Sequence, residues 1–278
     1  MTLIRPNTAI YTPAGADVSA SRGTLINTGS PGNNKGAWST LIDPIPKAFH
    51  SIYLLSDNVS ATAKYSIDIA LGDTGGGNEK IMIADLWGNT KIPVGGWTIR
   101  LPLGGPAGKS LRVRGQSSSS NRSIGVQCIL EHGSMSWMPR PFGIAETYGF
   151  DSSSTKCVTV DPGGAANTKS SSWIEIVAST GHPSLCWLLG AGLDTASTVL
   201  PATIRWAIDV AIGGAGSEKI IANNLLFASN SSTDRVDWPF IGPFYVPIPA
   251  GSRISVKAQC TSTDATYRVL NVFIMGVR

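Results

Sequence analysis

Charge is scarce in this sequence. Asp, Glu, Lys and Arg make up 14% of its 278 residues, against about a quarter in ordinary soluble domains. A surface so poor in charge relies on Ser, Thr, Asn and Gly, which suits a protein packed into an assembly. No run of 18 apolar residues occurs and no charged-then-apolar leader opens the chain, so neither a membrane span nor a secretory leader is expected. Four cysteines, Cys128, Cys157, Cys186 and Cys260, lack C-x-x-C spacing and the density of a disulfide scaffold. They read as buried thiols. An intermolecular disulfide stays open for them, because Cys128 stands alone in the first half of the chain.

Catalytic motifs are missing as well. His50, His132 and His182 form no ligand set, no G-x-S-x-G elbow occurs, and Gly75-Gly76-Gly77 joins strand to strand where a phosphate cradle needs a helix. The sequence therefore predicts no enzyme, no cofactor and no metal. The net charge of +4 lies wholly before residue 136, where 12 cations face 8 acids. Lys109, Arg112, Arg114 and Arg122 are its densest part, and Arg112 and Arg114 share a strand face. That excess is too small for nucleic-acid binding and reads as a salt-bridging face.

What the sequence does contain is a repeat. Ser66-Ile67-Asp68-Ile69-Ala70-Leu71-Gly72 followed by Glu79-Lys80-Ile81-Met82 returns as Ala207-Ile208-Asp209-Val210-Ala211-Ile212-Gly213 followed by Glu218-Lys219-Ile220-Ile221. Lys35 and Trp38 line up with Lys169 and Trp173, Ile52–Leu55 with Cys186–Leu189, and Leu111–Gln116 with Ile254–Gln259. The offset is roughly 135 to 145 residues, a whole domain and not a solenoid unit.

Each copy reads as short alternating runs separated by Gly, Pro, Asn and Ser, with strands in the first copy near 24–27, 38–43, 49–55, 63–71, 80–86, 97–102, 110–116 and 123–131. Eight antiparallel strands are a jelly-roll count. The predicted fold is all-β: an extended N-terminal arm (1–20), a first β-sandwich (21–133), an apolar bridge (134–150) packed between the domains, and a second β-sandwich (151–278).

Asp68 with Asp209 and Glu79 with Glu218 recur in both copies, so they read as architecture that bonds turn amides. Trp38 and Trp173 recur at strand starts and read as core. Trp87, Trp97, Trp137 and Trp238 are unpaired in the repeat and read as interface anchors, together with Leu3, Ile4, Ile10 and Tyr11 of the arm.

The arm Thr2-Leu3-Ile4-Arg5-Pro6, and the strands Leu111-Arg112-Val113 and Ile254-Ser255-Val256 entered through Pro106-Ala107-Gly108 and Pro249-Ala250-Gly251, carry a resemblance. With the duplication and low charge, the chain resembles the structural proteins of tailed-bacteriophage virions. The resemblance implies a non-enzymatic collar, head-decoration, baseplate or fibre-attachment component, located in the virion, with itself and other virion proteins as partners. Deleting residues 1–20 is expected to abolish assembly. The alternative is a carbohydrate- or receptor-binding module on the virion surface, with a host glycan as partner.

Overall fold

The computed structural model describes residues 11–17, 22–58, 63–90, 97–133, 143–194, 200–231 and 235–278. Of the arm and the bridge, residues 1–10 and 134–142 lie outside these, and with them Leu3, Ile4, Ile10 and Trp137.

The first copy contributes ten strands: β1 (Tyr11–Ala14), β2 (Ala16–Asp17), β3 (Arg22–Asn27), β4 (Ser39–Ile42), β5 (Phe49–Asn58), β6 (Ala63–Gly72), β7 (Lys80–Thr90), β8 (Trp97–Leu101), β9 (Ser110–Ser117) and β10 (Ser123–His132). The second contributes β11 (Ala145–Tyr148), β12 (Phe150–Asp151), β13 (Lys156–Val160), β14 (Ile174–Val177), β15 (Cys186–Leu193), β16 (Ile204–Ile212), β17 (Lys219–Ser229), β18 (Phe240–Phe244), β19 (Ile254–Cys260) and β20 (Leu270–Val277), with one helical turn, α1 (Ala265–Arg268).

The two sets match one to one. In the first sandwich one sheet runs β2-β3-β10-β5-β8, with β1 also on β10, and the other runs β4-β9-β6-β7. In the second sandwich the same orders are β12-β13-β20-β15-β18, with β11 on β20, and β14-β19-β16-β17. Every predicted strand of the first copy is present, and Tyr11–Asp17, expected as arm, adds β1 and β2 to the sheet. Ala14 is buried there, so deleting residues 1–20 removes part of the sandwich itself. Likewise the second sandwich begins at β11, inside the expected bridge.

Gly15 and Gly149 turn the chain out of β1 and β11 with φ of 78° and 87°, a region that only glycine enters without strain. A Cβ at Gly15 would stand 2.5 Å from Leu41, and one at Gly149 would stand 2.9 Å from Ile176. Leu41 and Ile176 are themselves matching positions on β4 and β14, so the same tight turn is built twice.

Packing corrects one detail of the repeat. Ile52 and Leu54 point into the first core, while Trp187 and Leu189 point into the second. Ile52 therefore matches Trp187, one residue from the sequence alignment. In a strand a one-residue shift exchanges the faces, and Cys186 and Leu188 turn instead toward the first sandwich. There they join Phe273, Met275 and Val277 in one core with Trp87, Leu86 and Ile83. The two sandwiches thus share apolar packing. The link is also a ladder: β11 pairs in parallel with β7, Ala145 opposite Ile83 and Glu146 opposite Ala84.

Candidate functional site

Each β4-β9-β6-β7 type sheet carries the same polar cluster on its outer face, and the cluster grows from a bulge. Opposite Asp68 of β6 the register with β7 slips, leaving Ala84 and Asp85 against one residue; opposite Asp209 of β16, β17 slips at Asn223 and Asn224. Asp85 and Asn224 take up the strain with φ of 53° and 52°, as bulged residues do. The aspartate accepts the amide that the bulge frees, Asp85 N to Asp68 Oδ1 at 2.9 Å and Asn224 N to Asp209 Oδ1 at 2.7 Å. This is the architectural role that the repeat predicted for Asp68 and Asp209.

Cations surround the aspartates. Lys35 Nζ donates to Asp68 Oδ1 at 2.8 Å, to Ser66 Oγ at 3.2 Å and to Asp85, while Arg114 Nε reaches Asp68 Oδ2 at 2.8 Å. In the second copy Lys169 Nζ donates to Asp209 Oδ1 at 2.7 Å and to the Ala207 carbonyl at 3.1 Å. The strand neighbour of Asp209 is Lys257, in the place of Arg114.

Above each cluster lies a tryptophan. Arg114 stands 4.5 Å from the Trp38 ring centroid and Lys257 stands 5.1 Å from that of Trp173, within cation–π range. Trp38 and Trp173 are half-buried on the outer face, a correction to their expected place in the core: the residue before each strand lies beside a cation and outside the interleaved layer.

The copies differ in charge and cover. Lys35 and Arg114 face two carboxylates, Asp68 and Asp85; Lys169 and Lys257 face only Asp209, because Asn224 replaces Asp85. The second cluster is therefore the more positive. The Asp68 side chain is 2% exposed and that of Asp209 13%.

The first sheet owes its cover to the second sandwich. Thr155 donates its hydroxyl to Asn33 Oδ1 at 2.8 Å and accepts from Gln116 Nε2 at 2.8 Å, while its carbonyl accepts the Trp87 indole N–H at 3.1 Å. Gln116 Nε2 also reaches the Ser152 carbonyl. Thr147 Oγ1 donates to the Ala84 carbonyl at 2.8 Å, and Phe150 lies 6.0 Å from Lys35 Nζ. Lys64 pairs with Asp194 at 3.4 Å across the same junction. Burial pushes the Lys64 ammonium below the usual lysine range against the pull of Asp194. Burial alone would raise the Asp194 carboxyl, but the bond from Asn271 and the Lys64 charge hold it below the usual aspartate range.

Of the expected interface anchors, Trp87 is corrected: it is 1% exposed and edge-on to Phe273 at 6.0 Å, so it anchors the junction between the two sandwiches of one chain. Trp97 opens β8, and its side chain lies outside the described residues. Tyr11 is 51% exposed, edge-on to Tyr53, and Trp238 is 79% exposed. Thr155, Gln116 and Asn33 were not singled out in the sequence. Their signal was present in part, since Gln116 and Gln259 align within the repeat.

All four cysteines are buried and unpaired in the chain, and their burial argues against an intermolecular disulfide. Desolvation pushes the thiols of Cys128, Cys157 and Cys260 up, and that of Cys186 up to about 12. Thiols held neutral and out of solvent do not exchange. Titration of the native chain with a thiol reagent is expected to find no reactive group, with all four appearing in denaturant; fast native labelling would contradict the burial.

Among the described residues no cluster of three or more His, Cys, Asp or Glu could hold a metal ion, and no helix is long and apolar enough to cross a membrane. No protein family and no curated protein sequence matches the chain. Solved structures do. PNGase F, a glycosylasparaginase from Flavobacterium meningosepticum, is 12% identical with a TM-score of 0.39, covering 96% of each chain. The N-terminal CBM22-1–CBM22-2 tandem of Paenibacillus barcinonensis Xyn10C is 12% identical, TM-score 0.26, over 97% of this chain and 95% of that one. A fucolectin from Morone saxatilis serum is 8% identical, TM-score 0.21, over 97% and 96%. The likeness is one of fold. The expectation that the chain is no enzyme does not stand: missing motifs do not exclude catalysis, and a glycosylasparaginase is among the structures that the comparison returns.

Proposed function

We propose that this chain is an assembly protein that works through protein–protein contacts of its two repeated sandwiches. One observation carries the reading: the outer sheet and edge of the first sandwich already serve as a protein-docking surface, and the second sandwich presents the same surface uncovered. Gln116 is buried at the junction, whereas Gln259, its counterpart, is half-exposed and Asn167, the counterpart of Asn33, is exposed. A place in a tailed-phage particle is the finer form of this proposal and rests on the arm and the composition. Light scattering of the purified chain over a range of concentrations tests it. Masses above 29.1 kDa that grow with concentration and ignore reductant are expected; a monomer throughout would refute it.

A second reading, saccharide binding, is favoured by the half-buried Trp38 and Trp173, each beside a cation and a carboxylate. Aromatic faces with flanking polar groups suit sugar rings. The cluster beside Trp173, with its extra positive charge, suits an acidic sugar. Saturable quenching of tryptophan fluorescence by acidic oligosaccharides, lost in Trp173→Ala, is the expected result; no saturation with neutral or acidic sugars removes this reading.

A further inference from the structure

The internal repeat shows what each sandwich docks onto, and it leaves one half of that contact open at each end of the chain. Within the chain the outer edge of β7 takes β11. By the one-to-one match β17 corresponds to β7 and β1 to β11. Among the described residues β17 pairs only with β16, and β1 pairs only with β10. The two unpaired edges are the two complementary halves of a junction that the molecule already makes.

Side chains on these edges agree. Trp87 stands opposite Ser66, and Leu226 stands opposite Ala207, the residue that matches Ser66. Trp87 is 1% exposed in the junction; Leu226 is 71% exposed. On the other half, Ala145 opposes Val277, and Tyr11 opposes Glu131 at the matching register. Ala145 is 0% exposed and Tyr11 is 51%. At both of these positions the residue that the junction buries has an exposed counterpart in the other copy, and in both cases that counterpart is large. Asn167 and Gln259 stand ready where Asn33 and Gln116 hold Thr155.

We infer that copies of this chain associate head to tail, the edge of β17 in one copy taking β1 of the next in parallel register, as β7 takes β11. Such a contact is heterologous and builds a ring or a filament. This rests on the assembly reading above and adds its geometry.

The free contact is weaker than the built-in one. Ile144 and Arg278 exchange both backbone bonds, so by alternation the amides of Ala145 and Thr147 face β7. Pro13 stands at the position of Thr147 and has no amide, which removes one ladder bond and the hydroxyl bond to the facing carbonyl. The face around β1 is also more polar, with Gln127 and Glu131 where β20 has Phe273 and Val277. Association between chains is accordingly reversible and concentration-dependent.

Sedimentation velocity of the full chain tests this with Leu226→Asp, Tyr11→Asp and an equimolar mixture of the two. Both side chains are mostly exposed, so neither core is disturbed; Leu226→Ser and Tyr11→Ser repeat the comparison without new charge. Wild type is expected to form a concentration-dependent series, and each variant alone to associate about tenfold more weakly or worse. The mixture is expected to form a dimer and stop, because each variant keeps one intact half. Assemblies that survive either substitution, or a mixture that stays monomeric, overturn the head-to-tail contact while leaving assembly standing. A wild type monomeric at every concentration overturns both.

Discussion

Replacing Trp87 by alanine is expected to destabilise the chain by about 3–5 kcal/mol, the range for removing a fully buried large aromatic, and to uncouple the two sandwiches. The side chain packs against Phe273 and donates to the Thr155 carbonyl, so its loss opens a cavity and leaves a buried carbonyl without its donor. Cooperative unfolding in one transition depends on this shared core. Denaturant unfolding of Trp87→Ala should lower the midpoint and separate two transitions. Leu226→Ala at the matching exposed position should stay within about 0.5 kcal/mol of wild type. Equal losses at the two positions would mean that the junction contributes nothing beyond local packing.

The second large effect is expected at Asp68. Asp68→Ala removes the acceptor of the bulge amide and the partner of both Lys35 and Arg114. Breaking a fully buried pair costs about 3–5 kcal/mol; Lys35 and Arg114 retain some exposure, so about 2–4 kcal/mol is expected here. The matching Asp209→Ala should cost about 1 kcal/mol, since Asp209 is the more exposed carboxylate, pairs with Lys169 where Asp68 pairs with both Lys35 and Arg114, and bonds the amide of an exposed residue, Asn224. Thermal unfolding of both variants checks the ratio. A larger loss at Asp209 than at Asp68 would show that cover by the second sandwich is not what makes the first cluster strong.

Much of this was legible in the residues. The alternation of Tyr65, Ile67, Ile69 and Leu71 located β6, Gly- and Pro-rich punctuation bounded the strands, and Asp68 with Asp209 announced by their recurrence a structural role that the bulges explain. The place of Trp87 was not legible. A tryptophan without a counterpart looks the same in sequence whether its partner is another chain or another part of its own. The same limit misplaced the match of Ile52: cores are defined by faces, and a shift of one residue preserves hydrophobicity while exchanging the sides.

By itself the sequence determined the all-β class, the duplication and most strand positions, because these follow from local periodicity, turn chemistry and self-similarity, all of which are written along the chain. Only the tertiary structure decided that the sandwiches share a core, that Thr155 is clamped between Asn33 and Gln116, that the thiols are enclosed, and that β1 and β17 each keep an edge with no partner among the described residues. Those outcomes depend on which distant segments meet, and the contacts between β7 and β11 join residues more than sixty positions apart. Local pattern fixes what each strand is; packing across the two copies fixes which of two equivalent surfaces is filled and which remains open.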